Sequence, residues 1–316
     1  MSDVSHRTIV AADAETVRAL IADAGRWPVV FRPTVHVEQV EQDGSVERIR
    51  ITATAGDEVK SWTSRREHSE DGRRITFEQE VSQAPIAAMS GAWVLRELPD
   101  GRTEVVLEHS YRAVDDDPEA LRWIAEATDR NSRTELANLK ELAETADERD
   151  GLELTFEDTV LVQGDAQQVY EYLARVQDWP ARLPHVSRME LVEPEPDVQI
   201  MEMDTVAPDG SAHTTKSVRV CFPSDRIVYK QVVVPVLMRA HTGVWRVREV
   251  ADGVAVSSQH TVVVQPNAIE SVLGAGKTVA DAMAFVRNAL STNSLITLGL
   301  AKKFAEDQQQ PALAGA

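Results

Sequence analysis

The stretch Gly91-Ala-Trp-Val-Leu-Arg-Glu97 recurs as Gly243-Val-Trp-Arg-Val-Arg-Glu249, 152 positions later (243 − 91). Trp27-Pro28 recurs as Trp179-Pro180 at the same offset. An offset that stays constant along the chain means that insertions have not separated the elements, so the two halves share one topology. A period of roughly 150 residues is the size of a domain and is too long for a solenoid repeat. The chain is therefore predicted to contain two copies of one domain.

Each copy is predicted to contain a strand, two short helices, about six antiparallel strands and a long C-terminal helix. In the first copy, Asp13 is placed to cap the first helix, and the long helix covers residues 118–146. Alternating apolar residues between about 35 and 113 predict the strands. Three Asp-Gly pairs, typical of hairpin turns, separate these strands: Asp43-Gly44, Asp71-Gly72 and Asp100-Gly101. A curved antiparallel sheet must cover its concave face, and a long amphipathic helix can do so while leaving an interior pocket.

The predicted domains are residues 1–147 and residues 152–308. A short charged segment joins them. Residues 309–316, rich in glutamine and alanine, are predicted to be a flexible tail.

Composition limits the class of protein. The 316 residues carry a net charge of −18, which argues against nucleic-acid or anionic-membrane partners because both need a basic surface. The sequence has no stretch of about eighteen apolar residues and no signal-peptide pattern. The one cysteine, Cys221, permits neither an internal disulfide nor a thiolate metal cluster. A cytoplasmic protein is expected.

The first candidate site lies on one predicted strand. Trp62, Ser64 and Arg66 share a strand face because side chains alternate with period 2. The same pattern is also typical of a solvent-exposed strand, and spacing alone favours that interpretation. The internal repeat favours a functional role for these residues instead. Ser217 and Arg219 lie 153 positions after Ser64 and Arg66 (217 − 64), so the second copy preserves the hydroxyl and the guanidinium.

Each copy also has a histidine late in its sheet, His109 and His260. Such a histidine is as often a hydrogen-bonded core or surface residue as a catalytic one. Glycine-rich phosphate loops, nucleophile elbows and zinc-binding helix motifs are missing, so neither a metal nor a cofactor is predicted. Asp115, Asp116 and Asp117 precede Pro118 and are interpreted as a helix cap.

On these residues the chain resembles the di-domain aromatase/cyclases of bacterial type II aromatic polyketide synthases. The resemblance covers essentially the whole chain. It implies an α+β fold of two tandem helix-grip domains of the Bet v 1/START-like type, each a curved antiparallel sheet around a long C-terminal helix with an interior pocket. It rests on Trp27-Pro28, on the Trp62-x-Ser64-x-Arg66 strand and on Gly91-x-Trp93.

The resemblance also implies roles for individual residues. In single-domain relatives the arginine of the Trp-x-Ser-x-Arg strand is catalytic, and a tyrosine follows the Trp-Pro element. This chain has Phe31 at the position of that tyrosine. His109 or Tyr111 would therefore have to transfer protons. The implied catalytic residues are Ser64, Arg66, His109, Ser217, Arg219 and His260. The implied substrate-binding residues are Trp27, Phe31, Trp62, Trp93, Tyr111, Trp179 and Trp245. Because the first copy retains the full Trp-x-Ser-x-Arg set, it is expected to perform ring closure.

The resemblance implies a ketoreduced poly-β-ketone as substrate, carried on the phosphopantetheine arm of an acyl carrier protein. The expected reaction is aldol closure of the first ring, commonly between C7 and C12, followed by dehydration to an aromatic ring. The expected partners are that carrier protein, a ketosynthase and a ketoreductase. An arginine would stabilise the enolate oxygen and a histidine would move protons. Two alternatives are a non-catalytic carrier for a hydrophobic ligand and an interaction module.

Overall fold

The computed structural model describes residues 2–55, 58–146, 151–206 and 212–313, with side chains described as far as residue 308. The chain divides into two compact units, residues 1–149 and residues 150–316. The predicted domain end at 147 lies outside the described residues, so the exact boundaries stay predictions.

The first unit has the predicted order of elements. It begins with β1 (Ser2–Val10), α1 (Ala14–Ala22) and α2 (Trp27–Val30). Six strands follow: β2 (Thr34–Asp43), β3 (Val46–Ala55), β4 (Glu58–His68), β5 (Arg74–Val81), β6 (Ile86–Glu97) and β7 (Thr103–Ala113). The unit ends with α3 (Pro118–Glu144), close to the predicted 118–146.

The second unit repeats this order. It begins with β8 (Glu153–Val162), α4 (Ala166–Ala174) and α5 (Trp179–Arg182). Six strands follow: β9 (Val186–Glu195), β10 (Val198–Val206), β11 (Ala212–Phe222), β12 (Arg226–Val233), β13 (Met238–Val250) and β14 (Gly253–Val264). It ends with α6 (Ile269–Leu273) and α7 (Val279–Leu313). Helix α7 extends five residues past the predicted domain end at 308, into the segment predicted to be a tail.

Each unit contains one seven-stranded antiparallel sheet. The strand orders are β1-β7-β6-β5-β4-β3-β2 and β8-β14-β13-β12-β11-β10-β9. Helix α3 packs on β1 and β7, and α7 packs on β8 and β14. The helices place Leu136, Leu139 and Leu298 in the cores of their units. Both units therefore have the helix-grip fold, with the long helix covering the sheet.

Local sequence explains where the helices begin. Asp13 accepts a hydrogen bond from the backbone N–H of Thr16, and Asp165 does the same for Gln168 in the second unit. These side chains satisfy backbone donors that have no partner within a first helical turn. Asp117 caps α3 in the same way.

The repeated glycine of the Gly-x-Trp motif is explained by packing. A Cβ atom on Gly91 would collide with the Glu108 carbonyl and with the ring of Phe77. A Cβ atom on Gly243 would collide with the ring of Tyr229. Glycine at both positions therefore leaves room for an aromatic ring. The ring of Phe77 lies across strand β6 and the ring of Tyr229 lies across strand β13, each next to the histidine of the neighbouring strand.

Among the described residues, no helix is long and apolar enough to cross a membrane.

Candidate functional site

Each unit has an interior pocket between its sheet and its long helix. The pockets have similar volumes, about 120 Å³ in the first unit and about 130 Å³ in the second. The walls of the N-terminal pocket include Trp62, Met89 and Trp123, whereas the C-terminal pocket has more polar walls. Chemistry therefore distinguishes the two pockets more than size does.

Two of the predicted residues of the first unit, Trp62 and His109, line its pocket. The other predicted residues of this unit lie outside the pocket lining: Trp27, Phe31, Ser64, Arg66, Trp93 and Tyr111. Ser64 is buried and donates a hydrogen bond to the backbone carbonyl of Glu78. Tyr111 is buried in a small cluster with Ile124, and burial raises the pKa of its phenol.

Arg66 is enclosed in the core of the first unit. Its side chain is 1% exposed, and its Nη1 donates to Oε1 of Glu47 at 2.8 Å. Its Nη2 donates to the carbonyl of Ile21 at 2.8 Å, near the C-terminus of α1, and the guanidinium lies 4.6 Å from the ring of Trp27. Burial lowers its pKa to about 10, and Glu47 partly offsets this effect. These contacts give Arg66 a structural role, and catalysis by Arg66 and Ser64 stays a prediction that the geometry does not support.

Three aromatic rings pack together in the first unit. Phe31 stacks on Trp93 with ring centroids 5.9 Å apart, and it meets the edge of Trp27 at 5.5 Å. All three rings are buried in the core of the unit. The position equivalent to Phe31 in the second unit is Leu183, a smaller residue. These three residues, predicted to bind substrate, pack against one another outside the pocket lining.

His109 is the titratable residue that the sequence analysis correctly located at the N-terminal pocket. Its ring meets the edge of Phe77, and its Nδ1 has no hydrogen-bond partner within the described ranges. Burial lowers the pKa of His109 to about 4, with a smaller contribution from nearby His6. His109 is therefore neutral at physiological pH.

Glu135 was missed by the sequence analysis. It lies on α3, lines the N-terminal pocket, and makes no ion pair or hydrogen bond with any residue that the structure describes. The residue is half-buried, and burial raises the pKa of its carboxyl to about 7. Glu135 could hold a proton near neutral pH and transfer it to a ligand.

The structure brings all five predicted residues of the second unit together. They line a single pocket: Trp179, Ser217, Arg219, Trp245 and His260. Arg219 donates from Nη2 to the carbonyl of Leu173 at 2.7 Å and lies 5.5 Å from the Trp179 ring. Its Nε and Nη1 have no partner among the described residues.

The difference between the two arginines arises from their cross-strand neighbours. Arg66 lies opposite Glu47, whereas Arg219 lies opposite Gln199. Gln199 donates to the carbonyl of Ala174 and to Oε1 of Glu193, and its own side chain carries no negative charge. Burial lowers the pKa of Arg219, yet with an ordinary value above 12 a guanidinium remains cationic. The C-terminal pocket therefore contains a cation without a carboxylate partner in the described structure.

A hydrogen-bonded cluster surrounds His260. Its Nδ1 lies 3.0 Å from both the hydroxyl of Tyr229 and Nε2 of His241. Its Nε2 lies 2.8 Å from the hydroxyl of Ser294 on α7 and 3.1 Å from that of Ser258. Burial lowers the pKa of His260 to about 4 and that of His241 to about 3.

Several buried polar atoms at the C-terminal pocket lack a partner within the described part of the chain. They belong to His185, Thr215, Arg219, Gln231 and His241. Unpaired buried polar groups are costly, so their concentration in one cavity indicates a place that a polar ligand completes.

The internal repeat holds a signal that would have found two missed residues of the second unit. At the offset of 152, Tyr229 replaces Phe77 and His241 replaces Met89. Two apolar positions of the first unit are thus polar in the second, where both residues line the pocket. Among the described residues, no group of three potential ligands could hold a metal ion.

Known proteins show the same two-domain arrangement. Two family models, both described as "Polyketide cyclase / dehydrase and lipid transport", match the chain. One matches residues 1–144 and the other matches residues 162–284. The granaticin polyketide synthase bifunctional cyclase/dehydratase of Streptomyces violaceoruber is 43% identical over 95% of this chain and 93% of its own length. The actinorhodin polyketide synthase bifunctional cyclase/dehydratase of Streptomyces coelicolor is 44% identical over 93% of this chain and 94% of its own length.

A solved structure agrees with this assignment. The crystal structure of the di-domain ARO/CYC BexL from the BE-7585A biosynthetic pathway is 50% identical, covers 97% of this chain and 99% of its own, and superposes with a TM-score of 0.85. Fold, repeat and sequence identity agree over nearly the whole length. The chain belongs to the polyketide cyclase/dehydrase family and is one of its di-domain members.

Proposed function

We propose that this protein closes and aromatises the first ring of a ketoreduced poly-β-ketone, joining C7 to C12 and removing water. The observation that carries the proposal is Arg219, a buried cation at the wall of the C-terminal pocket with two nitrogens that have no partner among the described residues. A poly-β-ketone forms enolates, and a fixed guanidinium stabilises the enolate oxygen without reorganisation of solvent. The names of the relatives support the same reaction class.

The C-terminal pocket is the proposed site of ring closure, in place of the first unit that sequence alone favours. The rings of Trp179 and Trp245 would hold the folded chain so that one pair of carbons meets. Ser217 is buried at the same wall and would bind a ketone oxygen. His260 would exchange protons with the reacting carbons and oxygens.

The N-terminal pocket is proposed to bind the same chain of carbons at a different stage. Trp62 and Trp123 provide an apolar wall, and His109 and Glu135 provide a neutral base and a carboxylic acid. An acid with a pKa near 7 can protonate a departing hydroxyl group, and a neutral imidazole can remove a proton from carbon. A cyclised ring that carries an aldol hydroxyl and a reduced hydroxyl must lose two molecules of water to become aromatic, so we assign one loss to this pair and the other to the C-terminal pocket.

The substrate is proposed to arrive on the phosphopantetheine arm of an acyl carrier protein and to come from a ketosynthase and a ketoreductase. A cytoplasmic location remains a prediction from the sequence.

The test is reconstitution with a minimal polyketide synthase and its ketoreductase, with products identified by mass spectrometry. Adding the protein is expected to replace the shunt products with a ring-aromatised product. Arg219→Gln is expected to lower its formation by about 10²–10³-fold, the usual effect of losing an oxyanion-stabilising donor. An unchanged product profile with folded wild-type protein and a loaded carrier would contradict the proposal and favour the non-catalytic carrier.

A further inference from the structure

His241 is a buried group of the C-terminal pocket to which neither the sequence analysis nor the family resemblance gives a role. It lies on β13, is 2% exposed, and lines the pocket that also contains Arg219. One ring nitrogen, Nε2, lies 3.0 Å from Nδ1 of His260. The other, Nδ1, is buried and has no partner within the described residues.

We propose that His241 is a second proton-transferring residue of the C-terminal pocket, acting at its free Nδ1 and coupled through Nε2 to His260. The inference rests on the proposed dehydration activity. The inference adds His241 to the residues that contact the substrate. It also couples the two stacked histidines, His241 and His260, whose ring centroids lie 5.2 Å apart.

The contacts around the pair determine where protons lie. Burial raises the pKa of Tyr229, so its phenol keeps its proton and can donate it to Nδ1 of His260. In the tautomer that the proposal requires, Nε2 of His241 carries a proton and shares this acceptor with the hydroxyl of Tyr229. In this tautomer Nδ1 of His241 has a free lone pair, which is what a general base requires.

The surroundings of His241 keep its ring neutral, so its lone pair stays available. Arg219 lines the same pocket, and the carboxylate of Asp158 acts on His260, whose pKa it raises against the effect of burial. Burial and His260 together hold the pKa of His241 at about 3, so the ring is neutral at neutral pH. An imidazolium becomes favourable there only when a negative enolate forms beside it.

The proposed step is the loss of water from a β-hydroxy ketone. Nδ1 of His241 takes the proton from the carbon between the carbonyl and the hydroxyl-bearing carbon, and the C–H electron pair forms an enolate whose oxygen faces Arg219. The Nε2–H of the new imidazolium donates to His260, which disperses the charge. The enolate then forms the carbon–carbon double bond, the C–O bond breaks, and the departing oxygen takes the proton back from Nδ1 to leave as water.

The test compares His241→Gln, His241→Met and His241→Ala in the reconstituted system. The first unit has a methionine, Met89, at the position equivalent to His241. The same fold therefore accommodates a methionine side chain at this position. We expect at least ~10²-fold lower turnover in each variant, with accumulation of a cyclised product heavier by one water. Added imidazole is expected to restore part of the activity of His241→Ala, because it can occupy the vacated space.

The control is His68→Gln, a histidine that contacts Glu47 and lines neither pocket. It should retain wild-type turnover. Two results would overturn the inference, provided that the wild-type protein still aromatises the substrate. One is wild-type turnover in His241→Gln. The other is a folded His241→Ala variant whose low activity imidazole does not restore. Failure of the wild-type protein itself would instead overturn the proposed function.

Discussion

Arg66 and Glu47 face each other across strands β3 and β4, with 2.8 Å between Nη1 and Oε1. The equivalent cross-strand pair in the second unit is Arg219 and Gln199, which has no negative charge. A repeat that conserves the arginine but replaces its partner thus produces a structural ion pair in one unit and an available cation in the other. This difference indicates divided roles for the two units.

Glu47→Gln is expected to destabilise the first unit. The substitution leaves Arg66 buried without a counterion, and breaking one partner of a buried pair typically costs about 3–5 kcal/mol. Thermal unfolding should show an early transition. The control is Glu67→Gln, which removes an exposed partner of Arg65 and should change stability by less than about 1 kcal/mol.

Gln199→Glu is expected to inactivate the proposed site of ring closure without unfolding the second unit. A carboxylate opposite Arg219 would form the ion pair that Glu47 forms with Arg66, and the guanidinium would no longer be free for an enolate. Product formation in the reconstituted system should fall at least ~10-fold, which corresponds to about 1.4 kcal/mol of lost transition-state stabilisation. Full activity with unchanged stability would argue against a free guanidinium as the reactive feature.

Leu183→Phe is expected to reduce the volume of the C-terminal pocket. Phe31 at the equivalent position contacts the rings of both Trp27 and Trp93. A phenylalanine at 183 would approach Trp179 and Trp245 in the same way, at an overpacking cost of about 1–3 kcal/mol. Tryptophan fluorescence should show weaker ligand binding. The reciprocal Phe31→Leu should destabilise the first unit and leave binding to the second unchanged.

Glu135→Gln is expected to change how stability depends on pH. The folded pKa of Glu135 is about 7, above its ordinary value of 4.5, so the folded state binds the proton more tightly than the unfolded state. Its favourable contribution is complete below about pH 4.5 and is lost as the pH rises through 7. The variant should therefore gain stability over the wild type between pH 5 and pH 8, by an amount on the order of 1–3 kcal/mol.

Denaturant unfolding at pH 5 and pH 8 measures this difference. Glu126→Gln on the exposed face of the same helix is the matched control, and the difference between it and the wild type should not vary with pH. An equal pH dependence for wild type and Glu135→Gln would mean that Glu135 titrates normally.

Much of the fold was predictable from local patterns. The Asp-Gly turns, the capping residue Asp13 and the position of the long helix depend on residues close together in the chain, and the structure confirms them. His109 and His260 line the pockets of their units, and a catalytic role for either residue stays a prediction.

The missing parts of the site depend on distant residues. Nothing local to Arg66 shows that Glu47, the carbonyl of Ile21 and the ring of Trp27 enclose it. Nothing local to His241 shows that it meets His260 from the neighbouring strand.

The sequence by itself therefore determined that the chain is two copies of one helix-grip domain, because repeat spacing and period-2 alternation are properties of the chain. Only the tertiary structure decided which arginine is enclosed and which faces a pocket. That outcome depends on the charge of residue 47 or 199, which lies opposite the arginine only after the strands have paired in the sheet.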